Sequence, residues 1–280
     1  MNKSLIIKVA FMLLLSGKLS ANKGEPINQI DQQTIGSIKD IEGIKGNEGL
    51  AGTFSGVIGN YLVVAGGSAF PEGKPWQGGT KYFSDALIVF ERTEEGSLLQ
   101  TGLSTKLPFG VAEGASVTTD KGLICVGGLT ANGLSDEVLL ITGNNGISIE
   151  KLPKLPKATK GATAAAIGSK LYVVGGENTE GITSDFLMLD LDNLSEGWQK
   201  LPDFPKTVTY AMAVAQMDGE ELSLHVFGGR SVSKLILFIL QYIVFALPSE
   251  NGKRGKTFTS IGKNHYLLPL RQSLQWAPLM

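Results

Sequence analysis

The chain has 280 residues, with 25 Lys and Arg, 26 Asp and Glu, and a formal net charge of −1. It lacks the excess of basic residues that holds nucleic acid phosphates, so we expect no nucleic acid partner. One cysteine, Cys125, and two histidines exclude an internal disulfide and a structural zinc site. With 42% apolar and 18% charged residues, the chain can bury a substantial core.

The first 21 residues have the layout of a secretory signal peptide. Lys3 and Lys8 precede an apolar stretch over residues 9–15, and small residues follow up to Ala21. The stretch is shorter than the about 20 residues that a membrane span needs, so we expect no stable membrane insertion. An exported protein, periplasmic or secreted, is therefore predicted. The alternative is a buried N-terminal helix or strand.

Four apolar runs that each end in a glycine pair repeat along the chain. They occupy residues 61–65, 123–126, 171–174 and 224–227, and are followed by Gly66–Gly67, Gly127–Gly128, Gly175–Gly176 and Gly228–Gly229. Glycine pairs that follow a strand about every 50 residues are typical of the kelch form of the β-propeller repeat. The pair gives the backbone freedom to turn at the end of the strand.

The residues around these runs repeat as well. Small-residue strands precede the runs, at residues 50–56, 113–117, 161–167 and 210–215. After the first three pairs come Ser84–Asp85, Ser135–Asp136 and Ser184–Asp185, each followed by an apolar strand and a last strand that ends on Leu-Pro. Four strands make one blade, so the sequence predicts an all-β, kelch-type β-propeller with three complete blades and part of a fourth. We expect each Asp to fix its turn by accepting backbone N–H groups.

Several of these segments resemble the cyclically permuted mutarotase family of kelch-repeat proteins, which is similar to the N-acetylneuraminate epimerases. They are residues 49–56, 65–67, 73–79, 108–116, 123–128 and 171–177. The resemblance covers about residues 34–230. It implies six blades, closure of the ring by an N-terminal strand at Thr34–Lys39, and an isomerase that interconverts the α and β anomers of N-acetylneuraminate in sialic acid utilisation.

The chain departs from this family after Arg230. We divide it into a signal peptide (1–21), a lead-in with the closing strand (22–48), the kelch blades (49–230) and an atypical tail (231–280) without a glycine pair. The family's Gly-Glu-x-Lys-Pro-Gly-x-Arg segment, with its proposed proton-transferring Glu, has no counterpart here. We hypothesise that the reading frame shifts just after Arg230, which leaves open whether this copy is active. Translating the encoding DNA in the other two frames tests this hypothesis, because the missing blades should then appear.

The candidate site follows from the arrangement of loops in a propeller. Loops after the glycine pairs and loops before the inner strands share one end of the axis, where propellers bind ligands. Mutarotation needs a base for the anomeric hydroxyl and an acid for the ring oxygen, and an Arg suits the carboxylate of a sugar acid. We therefore predict Glu177 as the catalytic residue. The predicted substrate-binding residues are Arg230, Glu113, Lys74, Trp76, Asn178, Lys160 and Tyr210.

Other classes of function find little support in the sequence. No cofactor or metal is predicted, and the ligand that the resemblance implies is a small sugar acid. His225 lies inside a strand and is interpreted as a core residue. The alternative function is a noncatalytic kelch module that binds a glycan or a protein. A third possibility is an unstable product, because three blades leave sheet edges open.

Overall fold

A computed structural model of the protein describes residues 49–103, 105–143, 146–218, 221–231, 242–246 and 257–258. The chain divides into two compact units, Met1–Ile35 and Gly36–Met280, of which the first lies outside the described residues. The signal peptide and the closing strand at Thr34–Lys39 also lie outside them, so both stay predictions. In the described part of the chain, no helix is long and apolar enough to cross a membrane.

The described strands form four successive antiparallel sheets. The first sheet contains β1 (Phe54–Ile58), β2 (Tyr61–Ala65), β5 (Ala86–Arg92), β6 (Leu98–Gln100) and β7 (Thr105–Lys106), with a separate hairpin of β3 (Ser68–Ala69) and β4 (Tyr82–Phe83). The second contains β8 (Ala115–Thr119), β9 (Gly122–Thr130), β10 (Gly133–Thr142) and β11 (Ser148–Leu152).

The third and fourth sheets repeat this order from the inner to the outer strand. The third contains β12 (Thr163–Ile167), β13 (Lys170–Val174), β16 (Phe186–Asp190) and β17 (Gln199–Lys200), with a hairpin of β14 (Glu177–Asn178) and β15 (Gly181–Ile182). The fourth contains β18 (Thr209–Asp218), β19 (Glu221–Arg230), β20 (Tyr242–Ala246) and β21 (Thr257–Phe258). The four sheets are blades of a kelch-type β-propeller, which confirms the predicted fold class.

The fourth blade has more strands than the sequence analysis expected. Three complete blades were predicted, but β20 and β21, which lie in the tail 231–280, add a third and a fourth strand to the last sheet. The aromatic and β-branched run Tyr242–Ala246 suits an extended strand, and it pairs with β19 from Ser223 to Phe227. Because such a run forms a strand whatever its origin, the reading-frame hypothesis stays a prediction.

The hydrophobic core lies between neighbouring blades. Alternate side chains of a strand point to opposite faces of its sheet, so a blade between two others buries both faces. In β9, Leu123 and Cys125 pack with the first blade, whereas Ile124 and Val126 pack with the third. A third cluster joins the third and fourth blades. This double burial explains why the runs before the glycine pairs are continuously apolar.

The glycine pairs are the points where each blade approaches the next. Gly175 and Gly176 have φ values of 64° and 102°, and the Gly176 N–H donates to the Val208 carbonyl at 2.7 Å. A Cβ on Gly175 would lie 2.1 Å from that same carbonyl oxygen. The first two pairs make the same contact with the blade that follows them. The pair therefore provides the predicted backbone freedom and also permits the close contact between blades.

The Ser-Asp turns are fixed by hydroxyl groups, and the expectation that the Asp carboxylates do this is wrong. Ser84 Oγ accepts the Ala86 N–H at 3.1 Å, and Thr183 Oγ1 accepts the Asp185 N–H at 3.0 Å in the third blade. The carboxylates bind lysines instead, as in the pair of Asp85 with Lys106 at 3.3 Å. A short hydroxyl side chain reaches the N–H two residues ahead, which forms an ST-turn.

Ser84→Ala is therefore expected to destabilise the fold more than Asp85→Asn. Ser84 is fully buried, so its loss leaves the Ala86 N–H without this acceptor and costs about 1–3 kcal/mol. The partly exposed Asp85–Lys106 pair contributes no more than about 1 kcal/mol. Urea unfolding of both variants compares the two. A larger loss for Asp85→Asn would contradict this assignment.

Candidate functional site

The two predicted sets of loops meet at one end of the blades. In each blade, the residue after the glycine pair forms a β-bridge with a residue just before or at the start of the inner strand. The bridges are Ala51 with Ser68, Ala112 with Leu129, Lys160 with Glu177, and Thr209 with Arg230. This confirms that loops after the glycine pairs and loops before the inner strands share one end.

One residue from each blade, directly after Ala51, Ala112, Lys160 or Thr209, takes part in a row of backbone hydrogen bonds that runs across the four blades. The Glu113 N–H donates to the Gly52 carbonyl at 2.8 Å, Gly161 donates to Glu113 at 2.7 Å, and Tyr210 donates to Gly161 at 2.7 Å. All four residues have positive φ, between 53° and 66°. We call Gly52, Glu113, Gly161 and Tyr210 the axial row.

Glu113 is the carboxylate of the axial row. Its Oε2 accepts the Tyr210 hydroxyl at 2.5 Å, and its Oε1 accepts the Lys81 ammonium. Burial raises the pKa of Glu113, but the hydrogen bonds from Lys81 and Tyr210 and the nearby charges of Lys81 and Lys160 outweigh it, so the net pKa is lowered. Glu113 is therefore held as the carboxylate anion at neutral pH.

Tyr210 joins Glu113 to a second group of charges. Burial raises the pKa of the Tyr210 phenol well above its usual value, and the hydrogen bond to Glu113 and the Glu113 charge act in the same direction. The Arg230 guanidinium lies over the Tyr210 ring, with its central carbon 4.9 Å from the ring centroid. The phenol therefore stays protonated, with its proton directed at Glu113.

Glu177 also contacts Arg230. Its Oε2 is 3.4 Å from Arg230 Nη2 and 4.0 Å from Lys160 Nζ. Among the described residues, the buried Arg230 Nε has no hydrogen-bond partner. Five predicted site residues, namely Glu113, Lys160, Glu177, Tyr210 and Arg230, thus form one cluster, which we call the axial site.

Three predicted site residues have other surroundings. Trp76 is 81% exposed on a short 3₁₀ helix at Pro75–Gln77, and the Lys74 N–H before it donates to Gln77 Oε1 at 3.1 Å. Asn178 is buried, and its Oδ1 accepts the Glu180 N–H at 2.8 Å, which holds the turn between β14 and β15. The roles given to Lys74, Trp76 and Asn178 stay predictions.

Lys81 contacts the axial site through Glu113, and the sequence analysis did not select it. It lies in the loop that follows the first glycine pair, so the rule that selected Lys74 applies to it as well. Lys81 also borders a cleft of about 600 Å³ between the first two blades, which Phe109 and Asn132 help to line. His225 is 3% exposed and stacks on Phe227 at 6.3 Å, which confirms that it is a core residue.

Comparison with known proteins agrees with this architecture. The Kelch motif family model matches residues 158–205. The solved structure of YjhT superposes with a TM-score of 0.57 at 16% identity, over 75% of this chain and 69% of that one. Residues 158–205 thus match a Kelch motif, and the chain has the fold of a kelch-type β-propeller.

Three similar proteins are named N-acetylneuraminate epimerase. That of Vibrio vulnificus is 33% identical over 109 residues, which is 37% of this chain and 28% of the relative. That of Yersinia enterocolitica is 36% identical over 80 residues, 29% of this chain and 19% of the relative. That of Vibrio cholerae is 44% identical over 52 residues, 19% of this chain and 12% of the relative. The matches thus span less than a third of each relative, and they support the predicted resemblance to mutarotase-like kelch proteins.

Proposed function

We propose that the protein interconverts the α and β anomers of N-acetylneuraminate and that it acts after export. The observation that carries this proposal is the axial site, where two carboxylates, a guanidinium, an ammonium group and a phenol converge at one end of the blades. Such a set of groups suits an acidic sugar that must lose and regain protons. The names of the relatives and the signal-like first 21 residues support the proposal.

Arg230 is the group that binds the sugar carboxylate. Its 3.4 Å contact with Glu177 is longer than the about 2.7–2.9 Å of a strong charge-assisted bond, so an incoming carboxylate can compete for the guanidinium. The planar guanidinium offers two parallel N–H groups, which a carboxylate can accept together. This contact would fix the anomeric carbon, which bears the carboxylate, beside Arg230.

Glu177 then takes the proton of the anomeric hydroxyl. As that O–H bond breaks, a carbonyl forms, and the bond from the anomeric carbon to the ring oxygen breaks with its electron pair on oxygen. The ring oxygen takes a proton, which the Lys160 ammonium, 4.0 Å from Glu177 Oε2, can donate. The new hydroxyl then attacks the other face of the carbonyl and returns its proton to Lys160, while the carbonyl oxygen regains a proton, and this gives the other anomer.

Glu177→Gln is expected to slow the exchange of anomers by about 100-fold or more, the usual contribution of a general base. The rate is measured by proton NMR on N-acetylneuraminate with saturating sugar. Glu180→Gln is the matched control, because Glu180 pairs with Lys157 at the surface. If Glu177→Gln exchanges anomers as fast as the unmodified chain, the role given to Glu177 is wrong.

The second candidate is a noncatalytic module that binds a glycan or a protein. Such a module needs the charged groups of the axial site to hold its ligand but no transfer of protons. A chain that binds N-acetylneuraminate, leaves the exchange rate at its value in buffer and is unaffected by Glu177→Gln would support binding without turnover.

A further inference from the structure

Two of the four residues of the axial row have side chains although their backbone is in the left-handed region. Gly52 and Gly161 have φ values of 66° and 61°, a left-handed region in which glycine is the default. Glu113 and Tyr210 have φ values of 62° and 53° at the equivalent positions. Among the described residues, they are the only ones other than glycine with positive φ. Left-handed backbone at a residue with a side chain is strained, and such strain clusters at functional sites.

The two strained residues are also bonded to each other. Tyr210 donates to Glu113 Oε2 at 2.5 Å, although 97 residues separate them in the chain. The Tyr210 hydroxyl donates its proton to Glu113. The lone pairs of the Tyr210 oxygen can therefore accept a hydrogen bond from a hydroxyl group of a ligand. Lys81 occupies the other oxygen of Glu113 and holds the carboxylate in place.

The position of Arg230 indicates how Tyr210 and Glu113 can take part in the reaction. Arg230 contacts Glu177 through Nη2 at 3.4 Å and lies over the Tyr210 ring at 4.9 Å, so the guanidinium is next to both residues. A sugar acid held by Arg230 would have its anomeric carbon close to both Glu177 and Tyr210. The two anomers carry the hydroxyl on opposite faces of the ring, so one fixed base cannot reach both hydroxyls.

We propose that Tyr210 and Glu113 form a proton relay that serves one anomer, while Glu177 serves the other. The inference rests on the proposed function. In the relay, the anomeric hydroxyl gives its proton to Tyr210 Oη, and Tyr210 passes its own proton to Glu113 Oε2. The carbonyl forms, the bond to the ring oxygen breaks with its electron pair on oxygen, and that oxygen takes a proton from the Lys160 ammonium. Tyr210 is the catalytic residue of this relay, and Glu113 is the positioning residue that receives the proton.

Tyr210→Phe tests the relay, because it keeps the ring under Arg230 and removes only the hydroxyl. We expect the exchange rate at saturating N-acetylneuraminate to fall by about 100-fold, with the dissociation constant of the sugar changed less than about 5-fold. Glu113→Gln should lower the saturated rate in the same way, and Glu113→Asp should restore part of it. A purely structural role for Glu113 would instead lower the unfolding midpoint without this separation of rate from affinity.

The outcomes separate the relay from the function on which it rests. If the unmodified chain does not accelerate exchange, the proposed function and the relay are both overturned. If the unmodified chain accelerates exchange and folded Tyr210→Phe retains its rate, the relay alone is overturned. If Tyr210→Phe does not fold, Glu113→Gln, which keeps the size of the side chain, decides between the same two results.

Discussion

Gly175→Ala is expected to destabilise the protein strongly, by about 2–5 kcal/mol in all. A residue with a side chain in left-handed backbone costs about 1–2 kcal/mol. The new methyl group would also lie 2.1 Å from the Val208 carbonyl oxygen, and such overpacking costs about 1–3 kcal/mol more. Because domains are stable by only about 5–15 kcal/mol, this loss is a large fraction of the total. Urea unfolding of the purified variant measures it.

Gly168→Ala is the matched control. Gly168 has a φ of 57°, close to the 64° of Gly175, but a Cβ at Gly168 meets nothing within 4 Å. Its replacement should therefore cost only the conformational part, about 1–2 kcal/mol. Equal losses for the two variants would show that the glycine pair serves backbone conformation alone, against its assignment as the contact between blades.

Arg230→Gln is expected to weaken binding of N-acetylneuraminate by about 10- to 100-fold. Hydrogen bonds to a charged group contribute about 1.5–3 kcal/mol, and glutamine offers neither the charge nor the paired N–H groups. Titration calorimetry measures the affinity. Arg92→Gln is the control variant, because Arg92 is exposed at the end of β5.

A second ligand shows which part of the sugar Arg230 contacts. The methyl ester of the same sugar lacks the negative charge, so the unmodified chain and Arg230→Gln should bind it with similar affinity. An equal loss of affinity for the ester and the free acid would place Arg230 against another part of the ligand and contradict its assigned role.

The repeat unit was predictable from sequence because its signals are local. The run Leu171–Val174 and the glycines after it specify a strand and a turn through residues that are adjacent in the chain. The first inner strand was predicted from Leu50 but begins at Phe54, because Ala51 bridges to Ser68 and Gly52 turns into the left-handed region. That boundary depends on a contact outside the strand.

The candidate site was predictable in part. Placement relative to the glycine pairs correctly brought Glu177 and Arg230 together, because each directly follows a pair. Glu113 and Tyr210 are brought together by the axial row. Its hydrogen bonds join different blades, so this contact could not be predicted from the local sequence. Lys81 lies in a loop that the glycine-pair rule covers, but its contact with Glu113 in the next blade could not be read from local sequence.

The central claim is that an acidic sugar binds at the axial end of the blades, against Arg230. A crystal structure of the chain with bound N-acetylneuraminate tests this claim most directly. We predict the sugar carboxylate within hydrogen-bond distance of the Arg230 guanidinium, and the anomeric carbon close to both Glu177 and Tyr210. A sugar bound only elsewhere, such as in the cleft beside Phe109 and Asn132, would contradict the account.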